Sequence, residues 1–162
     1  LTEANELQRL ANYLAFAGIP HRAARVMEKA MKEGQIESTA ANYKTLANYW
    51  HQAKELDPAI DTLAKSYKLA PNAELQLKMA RMMIQSKRYK DLVALAAKPA
   101  ANASGEQRAD LKFLTGVAYF EQQKPKEALS AFTQAAQNGN VSGRASPWIN
   151  FLKEQGGGAV TQ

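Results

Sequence analysis

The sequence contains no cysteine among its 162 residues. That absence removes disulfides, thiol nucleophiles and the usual structural zinc sites together, while leaving the compartment open. No apolar run approaches the ~18–20 residues that a membrane-crossing helix requires, so direct membrane insertion is not expected. Residues suited to strands are scarce and never alternate over a useful length, which excludes a sheet-based fold. There are only two histidines. His21 follows Pro20, where it is expected to cap a helix or face solvent. His51 shares a helical face with Asn48, and the nearest carboxylate, Glu55, falls in an expected turn. No glycine-rich phosphate loop, His-x-x-x-His pair or nucleophile elbow occurs. No enzymatic activity, metal or cofactor is therefore expected.

What the chain does hold is 46% apolar and 22% charged residues, rich in Ala, Leu, Lys and Gln. These are good helix formers, and they point to an all-α fold long enough to bury a core. The net charge of +6 is uneven. Residues 1–70 carry nine Lys/Arg against eight Asp/Glu, and residues 71–162 carry twelve against seven. Much of the excess lies between Lys78 and Lys98. The N-terminal LTEANELQ has neither an initiator methionine nor a signal-like segment, and reads as a fragment or a mature product.

The stretch LANY occurs at Leu10–Tyr13 and again at Leu46–Tyr49. Around it, Leu10, Ala11, Leu14, Ala23, Met27 and Ala30 fall on Leu46, Ala47, Trp50, Ala59, Leu63 and Ser66. A third copy follows with Met79, Ala80, Met83, Leu92 and Ala96, and a fourth with Gly116, Tyr119, Ala128, Phe132 and Ala135. The spacings are 36, 33 and 36 residues. Each copy reads as two helices around a short break, and such hairpins bury their apolar faces only by stacking on neighbours.

Turn and cap residues fit this period. Asp57-Pro58 reads as an N-cap with proline at the first helical position, Pro71-Asn72 closes one repeat and caps the next, and Ser104 with Gln107 makes a capping box. Ser146-Pro147 is expected to open a last helix. The expected helices are roughly 3–17, 21–33, 39–53, 58–70, 73–86, 89–97, 105–122, 126–137 and 147–155. The glycine-rich tail, 156–162, is expected to be disordered.

These residues resemble the tetratricopeptide repeat, a helix–turn–helix unit of about 34 residues. The fullest match is GVAYFEQQKPKEALSAFTQAAQ, where Gly116, Tyr119, Ala128, Phe132 and Ala135 fit signature positions. The resemblance implies a right-handed superhelical α-solenoid. It would be a single domain over 1–155, with repeats at about 4–36, 40–71, 73–104 and 109–140 and a capping helix at 147–155. Gln76 and Lys112 depart from the pattern where an aromatic or large apolar residue is preferred. Pro99 departs too, and should end the sixth helix early and leave an irregular KPAANAS connector.

In this family the first helices line a concave groove, which would carry Arg9, Asn12, Lys44, Asn48, His51, Lys78, Arg81 and Gln85, with Phe113 and Phe120 as apolar spots. Asn12 and Asn48 begin a column continued by Arg81 and Val117, and their amides suit the backbone of an extended peptide. The family's carboxylate clamp is incomplete. Lys44 and Asn48 supply its opening pair, but Lys78 stands where Asn is wanted, and Asp110 and Leu114 where Lys and Arg belong.

ELQRLANYLAFAGIPHRAARVMEKAMKEG and the closing RASPWINFLKE also resemble bacterial periplasmic tetratricopeptide proteins associated with TonB-type energy transduction. That likeness implies a periplasmic accessory role beside ExbB–ExbD–TonB. The expected partner is a protein or peptide segment. Two alternatives are a helical-repeat RNA-binding module and architectural self-association through an exposed solenoid end. The irregular spacing and the column Asn12, Asn48, Arg81, Val117 do not form a base-reading code, which disfavours nucleic acid.

Overall fold

The computed structural model describes residues 3–157. Among them are nine α-helices and no strand: α1 (Glu3–Phe16), α2 (Pro20–Lys32), α3 (Ala40–Gln52), α4 (Leu56–Leu69), α5 (Ala73–Gln85), α6 (Tyr89–Ala96), α7 (Gly105–Glu121), α8 (Pro125–Ala135) and α9 (Gly139–Gly157). Positions 156 and 157, expected as the start of a disordered tail, are instead the last residues of α9, and the tail from 158 onward lies outside the described residues. The chain divides into two compact units, Leu1–Pro71 and Asn72–Gln162.

In the first unit each helix packs on the next, α1 on α2, α2 on α3 and α3 on α4. Ala11, Ala23, Met27 and Ala30 are at most 1% exposed, and so are Ala47, Ala59, Ile60 and Leu63. Leu46 is buried under the neighbouring helices, whereas Leu10 in the equivalent position is exposed.

In the second unit α5 packs on α6 and α7, and α7 packs on α8 and α9. The α7–α8 crossing is tight: a Cβ at Gly116 would lie 2.7 Å from the Phe132 ring. Phe132 stacks on Trp148 at 5.1 Å and meets Phe113 edge-on at 5.5 Å.

All four hairpins turn in the same way. Gly18, Lys54, Lys87 and Gln123 have φ between 58° and 77°, in the left-handed region. In each, the following amide donates to a carbonyl five residues back: Ile19 to Leu14, Glu55 to Trp50, Arg88 to Met83 and Lys124 to Tyr119. This is the Schellman closure, which satisfies carbonyls left over at a helix end. Glycine adopts the conformation freely, and a side chain there costs about 1–2 kcal/mol.

Two details differ from expectation, and a third adds to it. First, α4 begins at Leu56 with Glu55 as N-cap, so Asp57 and Pro58 lie inside its first turn. A proline is tolerated there because first-turn amides have no intrahelical acceptor. Second, the last helix begins at Gly139 and not at 147, so Pro147 lies within it. The Asn138 side chain accepts from the Asn140 amide at its start. An interior proline costs about 3 kcal/mol, but Val141, Ala145 and Leu152 of this helix are all buried. Each large apolar side chain so covered returns about 1.5–3 kcal/mol, and tertiary packing overrides the local signal.

Third, the irregular third hairpin is held by hydrogen bonds. As expected, α6 stops at Ala96, before Pro99. Gln76 is 1% exposed. Its Nε2 donates to the Leu95 and Lys98 carbonyls, both at 2.9 Å, and its Oε1 accepts from the Ala100 amide at 2.8 Å. The connector returns the favour: Asn102 Oδ1 accepts from the Ala73 amide at 2.9 Å at the start of α5.

Two stability measurements test this account. Gln123→Gly is expected to raise the urea midpoint by an amount equivalent to about 1 kcal/mol, because the left-handed turn then carries no Cβ, and Gly18→Ala to lower it comparably. Gln76→Leu keeps the volume but strands two carbonyls and an amide, and should cost about 2–3 kcal/mol in the same titration.

Candidate functional site

The first unit brings five of the ten expected groove residues onto α1 and α3. Arg9, Asn12 and Lys44 are exposed, and Asn48 and His51 are half-buried. Lys44 and Asn48 lie four apart on α3 and so share one face. The Asn12 amide is committed to the fold, since the Tyr49 hydroxyl donates a short hydrogen bond to its Oδ1. Burial pushes the Tyr49 hydroxyl above its ordinary value of 10.0, so it remains a donor through the neutral range. One turn away, Gln8 donates to Asn42 at 3.5 Å. LANY therefore contains two kinds of residue, because Tyr49 fastens the second copy to Asn12 of the first.

His21 is not a free cap. Its ring meets Trp50 edge-on at 5.4 Å, and its Nδ1 lies 3.8 Å from the Glu55 carboxylate.

The second unit holds the other five. Lys78, Arg81 and Gln85 follow one face of α5, with Arg81 and Gln85 exposed and Lys78 half-buried. Arg81 does not stand alone: its guanidinium lies 3.8 Å from Asp110 on α7. Asp110, only 15% exposed, also binds Arg144 of α9 in a short hydrogen bond. Arg144 in turn lies over the Phe113 ring at 5.3 Å. Next to this set, Asn140 donates to Glu106 at 2.9 Å.

Phe113 and Phe120 serve the interior more than an open face. Phe113 packs on Phe132, and Phe120 meets Trp148 at 5.0 Å and Phe151 at 6.1 Å. Phe132 lies on α8, and Trp148 and Phe151 fall within the stretch 147–155 expected to form the last helix, so both phenylalanines are half-buried against neighbours close to those the sequence offered.

The arrangement supplies hydrogen-bond donors, amides and cations on helical faces. No group of three or more His, Cys, Asp or Glu able to hold a metal ion occurs among the described residues. No described helix is long and apolar enough to cross a membrane.

Sequence reasoning passed over one feature of the first unit, a cleft of about 1010 Å³ bounded by α2, α3 and α4 and rimmed by basic side chains. A signal for it was present in the 3–4–3 spacing of Arg22, Arg25, Lys29 and Lys32. Net charge over residues 1–70 averaged that spacing away.

Comparison with protein-family models returns no match, and neither does comparison with curated proteins. Solved structures do match. A crystal structure of MamA superposes with a TM-score of 0.67 over 91% of this chain and 84% of its own, at 18% identity. PilF of Pseudomonas aeruginosa gives 0.63 over 97% and 70%, at 16% identity. MamA from Desulfovibrio magneticus RS-1, from residue 41 to its end, gives 0.55 over 93% of each chain, at 14% identity. MamA and PilF are tetratricopeptide-repeat proteins, and the fold of this chain is that of the tetratricopeptide α-solenoid.

Asp110 offers a test of the ionic face. Asp110→Ala leaves Arg81 and Arg144 facing each other without their shared carboxylate, and should lower stability by about 1 kcal/mol. The deficit should shrink in concentrated salt, which screens the remaining repulsion.

Proposed function

We propose that the chain is a non-enzymatic protein-interaction scaffold that receives a segment of a partner protein on the faces of its first helices. The observation that carries this reading is the repeat fold itself combined with what its faces display. The core columns are filled by Ala, Leu, Met and Phe, while in the first unit the faces of α1 and α3 carry Arg9, Lys44 and Asn48, and in the second the face of α5 carries Lys78, Arg81 and Gln85. Such groups bind a peptide backbone or acidic side chains without performing chemistry, and a few of them would supply most of the affinity. Arg81 lies 3.8 Å from Asp110 while its side chain stays 59% exposed, which leaves guanidinium donors to offer a partner.

The finer placement, a periplasmic accessory to a TonB-type transport system, is supported by the sequence likeness of the first repeat and the closing helix. The matched solved structures support the scaffold role through their fold and are silent on such a system.

The joint substitution Asn48→Ala, Lys78→Ala and Arg81→Ala is expected to abolish partner capture by in-cell crosslinking while leaving the helical circular dichroism unchanged. Undiminished capture would remove the first-helix faces from the binding site. Crosslinked partners that include no ExbB, ExbD or TonB would remove the transport placement alone.

A further inference from the structure

The α2 side of the first unit carries a stripe of cations. Arg22, Arg25, Lys29 and Lys32 follow one another at steps of three and four, one stripe along about 15 Å of helix. All four line the cleft between α2, α3 and α4, and Lys65 of α4 faces them from across it. Lys65 lies 5.7 Å from the centre of the Tyr43 ring. The floor is apolar, formed by Leu46 and Met31, with half-buried Val26 and Tyr43 beside them.

Two acids, Glu28 and Glu33, also line the cleft. They sit 3.7 Å from Arg25 and 3.8 Å from Lys29, as neighbours on the same helix. Arg25 and Lys29 are nonetheless 67% and 74% exposed. Exposed pairs of this kind contribute little and are readily exchanged for an incoming carboxylate. Five cations against two acids leave the cleft with a net charge of +3.

We infer that this cleft docks an acidic, amphipathic peptide segment, its carboxylates along the α2 stripe and its apolar side chains on the Leu46–Met31 floor. Charge complementarity sets the sign of the partner, and the floor sets its class. A phosphate backbone has nothing to place on buried leucine and methionine, and a flat anionic membrane does not enter a cleft between helices. The surface uses other helical faces than the α1–α3–α5 reading above, so either can fail without the other.

The test is fluorescence anisotropy with a labelled peptide of about a dozen residues, carrying Glu and Leu on opposite sides of a helical repeat to match the stripe. The intact chain should bind it in a salt-sensitive manner, and a peptide with Lys in place of every Glu should not bind. Arg25→Glu with Lys29→Glu should weaken binding by about tenfold or more, and the milder pair Arg22→Gln with Lys32→Gln by several-fold. The Lys90→Glu, Lys126→Glu control and the Asn48, Lys78, Arg81 variant should retain full affinity. No binding of the acidic peptide, equal binding of the lysine peptide or equal loss in the control would each overturn the inference. So would tighter binding to a single-stranded oligonucleotide or to phosphatidylserine vesicles than to the acidic peptide.

Discussion

A helix hairpin closes only as far as the side chains at its crossing allow, and in this chain that distance is set by one column of small residues. Ala11, Ala47 and Ala80 are 0–1% exposed, and Gly116 completes the column at the same spacing. The equivalent positions of the second helices hold Met27, Leu63, Ala96 and Phe132, all buried. Where the partner is largest, at Phe132, the column loses even its Cβ, because one would lie 2.7 Å from the ring. Well-packed interiors do not absorb such an overlap without displacement. The left-handed turns at Gly18, Lys54, Lys87 and Gln123 follow from the same constraint, since a short connection must return the second helix to this crossing.

The third hairpin keeps the fold when the column weakens. Ala96 offers little volume to Ala80, and Pro99 stops α6 at eight residues. Gln76 then replaces contact area with three hydrogen bonds to backbone, one to Leu95 in the last turn of α6 and two to Lys98 and Ala100 of the connector. Apolar packing is non-directional and tolerates substitution, whereas an amide bonded on both its ends fixes the position of each atom it touches. The departure from the repeat pattern is thus the most specified point of its hairpin.

The Asn72 cap and the Ser104–Gln107 capping box were legible in the sequence because each depends on residues at most three positions apart, and the period because four copies repeat the same columns. The start of α9 was not. GNVSGRAS is a poor helix by propensity, and Ser146-Pro147 is a good local start signal. What decides the matter is the burial of Val141 and Ala145 against a core assembled from α7 and α8. Phe113 and Phe120, which their spacing places on one face of α7, are half-buried against Phe132 of α8 and against Trp148 and Phe151 of α9.

The surface was least legible because, in a repeat fold, the nearest lateral neighbour of a side chain is one repeat away. Gln8 meets Asn42, Glu106 meets Asn140 and Asp110 meets Arg144, each pair 34 residues apart. Asn12 meets Tyr49 at 37. A polar residue on a first-helix face is therefore a binding residue only where donors remain after its neighbour is served, a condition that Arg81 meets and the Asn12 carbonyl does not. The α2 stripe is organised otherwise. The pairs of Arg25 and Lys29 are made within the helix at three and four residues, through weak exposed contacts, and no packing depends on them. Cations held that loosely above an apolar floor are the ones whose electrostatic energy is still available to a partner.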